Sequence, residues 1–116
     1  MKCFFIALVV MLFIPMIAHA GNPDNGKRLF FKKCKSCHRL TEGIKVGPSL
    51  LGVTQRRSDE WLDSWLKNPK EVIKSGDPIA VELYKKFRKR MPKYKLMQDK
   101  QNRDDVISFL KTHNVN

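Results

Sequence analysis

The feature that most restricts the fold and chemistry of this chain is a short run of residues in its first third. The run reads Cys34-Lys35-Ser36-Cys37-His38, which is a C-x-x-C-H pattern. On a helical turn this spacing brings two thiols to the same side of the backbone, and an imidazole follows directly. The rest of the sequence must decide whether this run forms a disulfide, holds a metal or redox site, or attaches a larger group.

The residues before the motif have the form of a secretory signal peptide, which we predict over residues 1–20. Lys2 gives a positive start, residues 3–17 are almost entirely apolar, and Ala18-His19-Ala20 has the small-residue pattern of a cleavage site. The apolar run is shorter than the roughly 20 residues of a membrane-spanning helix. We therefore expect cleavage rather than an anchor, loss of Cys3 with the leader, and export to the periplasm or an equivalent compartment outside the cytoplasm.

Residues 21–116 are short enough for one domain, and their apolar spacing is helical with no strand pattern. This predicts an all-α domain of four or so short helices, which begin near Asp24 or Asn25, after Ser58, at Asp77-Pro78 and near Asp99. Segments 41–57 and 91–97 are expected to be irregular. The expected inward faces are Gly26, Leu29 and Phe30; Trp61, Leu62, Trp65 and Leu66; Ile79, Leu83, Tyr84 and Phe87; and Val106, Ile107, Phe109 and Leu110. Such narrow faces make a thin core, so a large apolar ligand at the centre would stabilise the domain.

The three interpretations of the C-x-x-C-H run differ in how well the sequence supports them. Export permits a disulfide, but it would close a very small loop and stabilise little. Zinc normally has four ligands, and a second ligand pair is missing once Cys3 is lost; a redox C-x-x-C usually follows a strand in an α/β pattern. Two thiols can instead add to the two vinyl groups of a haem, with His38 as an iron ligand. The sequence favours this third interpretation: one haem c, covalently bound through Cys34 and Cys37.

Residues 21–116 resemble a class I cytochrome c of the bacterial, soluble, monohaem type over nearly their whole length. Beyond the C-x-x-C-H run, the resemblance rests on three segments. Gly47–Val53 with Arg56 is similar to the family's G-P-x-L-x-G…R segment, and residues 61–69 resemble the middle helix of bacterial members. The contact between the family's terminal helices is resembled by Gly26 and Phe30 with Val106 and Phe109. The resemblance implies the cytochrome c fold, with its helices wrapped around one covalently bound haem.

The ligand on the other side of the iron decides what such a haem can do. Met91 precedes Pro92, which favours an extended loop conformation, and the Met-Pro pair resembles the ligand motif of the family. Met97 stands just before the last helix, where a core position is expected. We predict Met91 as the second axial ligand, with Met97, His113 or an open site as the alternatives.

Two further residues are candidates for contacts with the cofactor. The resemblance implies that Pro48 offers its backbone carbonyl to Nδ1–H of His38, which would orient the imidazole. Arg56 is a candidate partner for a haem propionate, because a buried carboxylate needs a charged or hydrogen-bonding neighbour. Trp61 and Trp65 are expected to be core residues, although one indole N–H could also reach a propionate.

These features predict an exported, monomeric one-electron carrier that is not an enzyme. The formal net charge is +12 for the whole chain and +11 once Lys2 is lost with the leader, and it would steer the carrier to an acidic surface of a larger redox protein or membrane-bound redox complex. The lysines expected nearest the haem are Lys32, Lys33, Lys35, Lys86, Lys89, Lys93 and Lys95. Export makes nucleic acid an unexpected partner, and we expect no stable membrane insertion after cleavage. The alternatives are a haem subunit of a fixed redox complex, and a haem enzyme or gas-binding protein with a displaceable sixth ligand.

Overall fold

The computed structural model describes residues 21–116, so the predicted signal peptide over residues 1–20 lies outside the described residues. Over the described range the chain is helical and contains no strand, as expected. The helices are α1 (Pro23–Lys33), α2 (Val53–Arg56), α3 (Asp59–Lys67), α4 (Pro69–Lys74), α5 (Pro78–Phe87) and α6 (Lys100–Lys111), with a 3₁₀ turn at Lys95–Gln98 before α6.

Helix α1 begins slightly earlier than the sequence suggested. Its cap is Asn22, whose side-chain oxygen accepts hydrogen bonds from the backbone N–H groups of Asp24 and Asn25 at 3.0 and 3.4 Å. Pro23 follows at the first helical position, where its fixed φ suits a helix and its missing N–H costs nothing. The predicted start near Asp24 or Asn25 was therefore one or two residues too late, because the Asn22-Pro23 pair supplies the stronger start signal.

The predicted starts of the three other long helices are confirmed by their caps. The side chain of Ser58 accepts from Trp61 N at 3.1 Å. Asp77 accepts from Ala80 N at 2.9 Å, and Asp99 accepts from Gln101 N at 2.8 Å. In each case a short polar side chain replaces a partner that the first turn of a helix lacks.

Two short helices were not predicted. Helix α2 lies within the segment 41–57 that was expected to be irregular, and α4 follows α3 almost without a break. Asn68-Pro69 ends α3 but also starts α4, since the Asn68 side chain accepts from Glu71 N at 3.4 Å and the proline takes the first helical position. A stop signal for one helix is thus the start signal for the next.

The core lies where α1 crosses α6, the most extensive contact between elements. The ring centroids of Phe30 and Phe109 lie 5.6 Å apart there. The buried apolar residues are Leu29, Phe30, Cys34, Val53, Leu62, Leu66, Ala80, Met97, Val106, Ile107, Phe109 and Leu110. Gly26 is buried as well, against the backbone of Asp105. The inward faces predicted for the first and last helices are confirmed.

Helix α5 is held differently from the others. It packs chiefly against α4, and Ala80 is its one buried residue. Leu83 and Phe87 are half-buried and Tyr84 is 41% exposed, and all three line the cavity described below. Between residues 21 and 116, no helix has both the length and the apolar character needed to cross a membrane.

Candidate functional site

A cavity of about 490 Å³ opens beside the α1–α6 core. The motif residues Cys34, Cys37 and His38 line it, and so does Met91. Its walls are mostly apolar and include Phe30, Leu50, Leu66, Leu83 and Phe87. This size is within the usual range of a site for a small-molecule ligand or cofactor.

The C-x-x-C-H turn is built on the end of α1. Cys34 caps the helix, and its carbonyl oxygen accepts from the N–H groups of both Cys37 and His38 at 3.1 and 3.0 Å. The carbonyl of Cys37 accepts in turn from Gly47 N at 2.8 Å and Val46 N at 3.2 Å. These bonds fix the turn and fold the following loop back onto it, so the two thiols and the imidazole keep one arrangement at the cavity wall.

The imidazole of His38 is oriented by a single hydrogen bond. Its Nδ1 lies 2.8 Å from the carbonyl oxygen of Pro48. A carbonyl can only accept, so Nδ1 must carry the proton, and the lone pair of a neutral ring is left on Nε2. Burial lowers the pKa of His38, while the bond to Pro48 acts in the opposite direction. The ring is thus available as a neutral nitrogen ligand near neutral pH.

Gly47 packs flat against this ring. A Cβ atom at position 47 would lie 2.7 Å from Cε1 of His38, closer than non-bonded carbon atoms normally approach. Gly47 and Pro48 therefore both position the His38 imidazole. Gly47 has no side chain to clash with the ring, and the Pro48 carbonyl accepts the hydrogen bond from Nδ1–H.

The two cysteines are free thiols. Burial, assisted by the neighbouring Cys37, raises the pKa of Cys34 to about 11. The raised pKa disfavours the Cys34 thiolate, which zinc binding and thiol–disulfide exchange both use. No group of three or more His, Cys, Asp and Glu side chains with metal-binding spacing occurs within residues 21–116. The donor set fits a group that reacts with two thiols and takes one imidazole nitrogen.

The three side chains considered for the opposite ligand lie in different surroundings. Met91 is half-buried and lines the cavity. Met97 is 2% exposed in the core, and it is not among the residues that line the cavity. His113 does not line it either, because its ring stands edge-on to Phe109 with centroids 4.9 Å apart. Of the three, Met91 alone shares the cavity with His38.

Arg56 lies at the cavity and is exposed. Its guanidinium donates to the carbonyls of Leu51 at 2.6 Å and Ser49 at 3.3 Å. A guanidinium has five N–H donors, so these two bonds leave others for an acidic group. Arg56 therefore both closes the loop after Pro48 and offers positive charge at the cavity.

The two tryptophans line the cavity as a stacked pair, with ring centroids 5.2 Å apart and planes at 12°. The indole N–H of Trp61 donates to the carboxylate of Asp77 at 3.0 Å, the same carboxylate that caps α5. Trp61 thereby ties α3 to the start of α5. This contact spans sixteen positions, and nothing in the local sequence pointed to it.

Tyr94 is a cavity residue that sequence reasoning missed. It is half-buried at the cavity wall, and its hydroxyl donates to the carbonyl of Lys33 at 3.2 Å. Its partner is 61 positions away, so no local spacing could reveal the bond.

A sequence model of the family described as cytochrome c matches residues 23–114. The chain belongs to the cytochrome c family. Cytochrome c2 of Rhodopila globiformis is 35% identical over 104 residues, which cover 82% of this chain and 96% of that protein. Cytochrome c of Theileria annulata is 27% identical over 117 residues, which cover 83% of this chain and 90% of that protein.

Solved structures agree with this assignment. A cytochrome c from Rhodothermus marinus superposes with a TM-score of 0.71 at 27% identity, over 78% of this chain and 74% of that one. The cytochrome c domain of a Pseudomonas putida protein superposes with a TM-score of 0.64 at 33% identity, over 75% of this chain and 85% of that one. The all-α cytochrome c fold and the predicted class I family are thus confirmed, and cytochromes c are typically electron-transfer proteins that carry a c-type haem. The thiols, imidazole and apolar walls of the cavity fit that group.

Proposed function

We propose that this cytochrome c is an exported one-electron carrier with a single haem, bound covalently through Cys34 and Cys37 and ligated axially by His38 and Met91. One observation carries the proposal: the two thiols, the imidazole and the Met91 side chain all line one apolar cavity. A bound haem would supply a reversible one-electron change at its iron. A thioether ligand favours the reduced iron and blocks access of substrates to it.

The protein's part is to hold both ligands in place and to exclude water. The hydrogen bond from Nδ1 to the Pro48 carbonyl fixes the ring of His38 with Nε2 directed to accept a metal. Apolar walls keep the surroundings of the redox centre at low polarity. Because neither ligand has to leave, little rearrangement accompanies electron transfer, and this favours fast exchange.

Arg56 is proposed to partner a propionate of the haem. Its guanidinium lies at the cavity and is already oriented by two backbone carbonyls. A charge-assisted hydrogen bond would offset part of the cost of taking a carboxylate out of water.

The partner is proposed to be an acidic face of a larger redox protein or redox complex. The ion pairs within residues 21–116 all involve α3 and α6 side chains (Asp59, Asp63, Lys100, Arg103, Asp104 and Lys111). None of them uses the exposed lysines around Met91, namely Lys86, Lys89, Lys93 and Lys95. A second basic group, Lys32 and Lys35, is exposed near the C-x-x-C-H turn, beside the exposed Phe31. Uncompensated positive charge at the cavity margin would steer an acidic partner there.

The ligation is tested by optical spectra of the purified protein and its methionine variants. Ferric iron with a methionine sulfur gives a weak far-red absorption band. The band should disappear in Met91→Ala and persist in Met97→Ala, and the ferrous parent protein should not bind carbon monoxide. Persistence of the band in Met91→Ala would refute the axial assignment. Ready carbon monoxide binding by the parent would favour a gas-binding protein or haem enzyme instead.

The covalent attachment is tested by mass. The intact protein, produced in a host that attaches haem, should be heavier than its polypeptide by one haem, and this mass should survive denaturation. Exchange of both Cys34 and Cys37 for alanine should abolish it. A colourless product with the mass of the bare polypeptide would contradict the proposal. The same measurement tests export, since the exported protein should begin at Gly21.

Charge steering is tested with hexacyanoferrate(III), a small anionic oxidant. Its reaction rate with the ferrous protein should fall steeply as ionic strength rises, because added salt screens exposed charges. Lys89→Glu combined with Lys93→Glu should lower the rate at low salt, while Lys27→Glu combined with Lys70→Glu, which makes the same charge change elsewhere, should lower it less. Equal effects of the two pairs would show that net charge alone matters and that the margin around Met91 has no special role.

A further inference from the structure

Few contacts within the protein fix the backbone of the segment that carries Met91. Residues 88–94 have no regular secondary structure. No hydrogen bond found within residues 21–116 involves any residue from Lys89 to Lys93. Helix α5, which precedes the segment, packs chiefly against the short α4. A methionine in such a segment is free to move away from a metal unless a neighbouring residue fixes the chain.

Tyr94 is the first residue after Met91 that is fixed. Its carbonyl accepts from Met97 N at 3.1 Å and from the side chain of Gln98 at 3.1 Å. The same Gln98 amide donates to the carbonyl of Lys67 at 2.8 Å. The backbone of Tyr94 is thereby joined to the 3₁₀ turn, to buried Met97 and to the end of α3.

The side chain of Tyr94 makes a second attachment, to the opposite wall. Its hydroxyl donates to the carbonyl of Lys33 at 3.2 Å, and the Lys33 ammonium lies 5.9 Å from the centre of the tyrosine ring. Lys33 is the last residue of α1 and directly precedes Cys34. The bond therefore joins the chain three residues after Met91 to the chain one residue before the first thiol.

The carbonyl of Lys33 needs such a donor. The last four carbonyls of an α-helix lack partners within the helix, and the N–H groups of Cys37 and His38 both go to Cys34 instead. Among residues 21–116, no other hydrogen bond to the Lys33 carbonyl is found. The tyrosine hydroxyl thus satisfies a helix end and fixes the methionine segment with one bond.

We propose that Tyr94 is a positioning residue that keeps Met91 at the cavity by fastening its segment to the Lys33 carbonyl, beside the C-x-x-C-H turn. The inference rests on the proposed role of Met91 as axial ligand and extends it. Loss of the hydroxyl is expected to leave the haem attached and Met91 bound in plain buffer, but to make the methionine easier to displace.

The test is titration of the ferric, haem-loaded protein with imidazole, which competes for the iron, followed by loss of the far-red band. Tyr94→Phe should lose the band at an imidazole concentration roughly three- to tenfold lower than the parent, the range expected for one ordinary hydrogen bond. The matched control is Ser75→Ala, which removes a hydroxyl that also donates to a backbone carbonyl near a helix end, that of Val72 at 2.7 Å, away from this cavity. This control should titrate like the parent.

Two further variants keep the outcomes apart. If Tyr94→Phe titrates like the parent while Tyr94→Leu responds, ring packing rather than the hydroxyl holds the segment, and the inference fails. If Tyr94→Phe lowers only the midpoint of denaturant unfolding, the bond is merely structural, and the inference fails as well. If Met91→Ala keeps the far-red band, the axial assignment itself is wrong, and the role of Tyr94 falls with it.

Discussion

Replacement of Gly26 by alanine tests the contact on which the whole fold depends. A Cβ atom at this position would lie 2.6 Å from the carbonyl carbon of Asp105 and 2.8 Å from Cβ of Phe109. Carbon atoms in ordinary contact are about 3.5–4.0 Å apart. Helices α1 and α6 would therefore have to separate by about 1 Å to admit a single methyl group.

The expected cost of that separation has three parts. Overpacking of a core usually costs about 1–3 kcal/mol. Moving α1 also stretches two hydrogen bonds to Asp105, from Asn22 N and from the Asn25 amide, which are both 2.7 Å long, and losing them would cost about 1 kcal/mol each. Alanine is a better helix former than glycine by about 1 kcal/mol, which acts in the opposite direction. The net expectation is a loss of about 3 kcal/mol.

The assay is unfolding of the haem-loaded protein in guanidinium chloride, followed by tryptophan fluorescence. With the denaturant dependence typical of small domains, a loss of this size lowers the midpoint by about 1 M. Lys27→Ala is the control, because it places the same alanine one residue along α1 at an exposed position and should change stability by less than about 0.5 kcal/mol. If the free energy of unfolding of Gly26→Ala lies within 1 kcal/mol of the parent value, then Gly26 is not required for the close approach of α1 and α6.

Three other predictions concern the contacts of Gly47, Asp105 and Trp61. Gly47→Ala should push the His38 ring off its hydrogen bond to Pro48 and make the imidazole a weaker donor to ferric iron. The reduction potential measured by redox titration should therefore rise while haem stays attached; an unchanged potential would argue against this packing. Burial raises the pKa of Asp105, but its three hydrogen bonds outweigh burial and hold that pKa below its usual value. Its contribution to stability is therefore present above about pH 4 and lost as pH falls through the lowered value, and Asp105→Asn should flatten this acid loss in denaturant unfolding. Trp61→Phe should remove the bond to Asp77, destabilise the protein by about 1 kcal/mol, and speed amide exchange in α5 more than in α6; equal acceleration in both helices would contradict the contact.

Local sequence was sufficient wherever the deciding residues are neighbours along the chain. Ser58, Asp77 and Asp99 predicted three helix starts, because a cap acts on the N–H groups two or three residues ahead. The same reasoning missed α4, since Asn68-Pro69 was interpreted as an end alone. It missed α2 as well, because the glycines and Pro48 of segment 41–57 predicted an irregular loop.

The sequence by itself determined the chemistry of the C-x-x-C-H turn. Two thiols and an imidazole within five residues are brought to one side by the helical backbone alone, whatever the rest of the fold does. Only the tertiary structure decided which methionine shares the cavity with that imidazole, because Met91 and Met97 are six positions apart and packing buries Met97 in the core while leaving Met91 at the cavity wall. The bond from the Tyr94 hydroxyl to the Lys33 carbonyl likewise depends on tertiary packing, because its two ends are 61 positions apart along the chain.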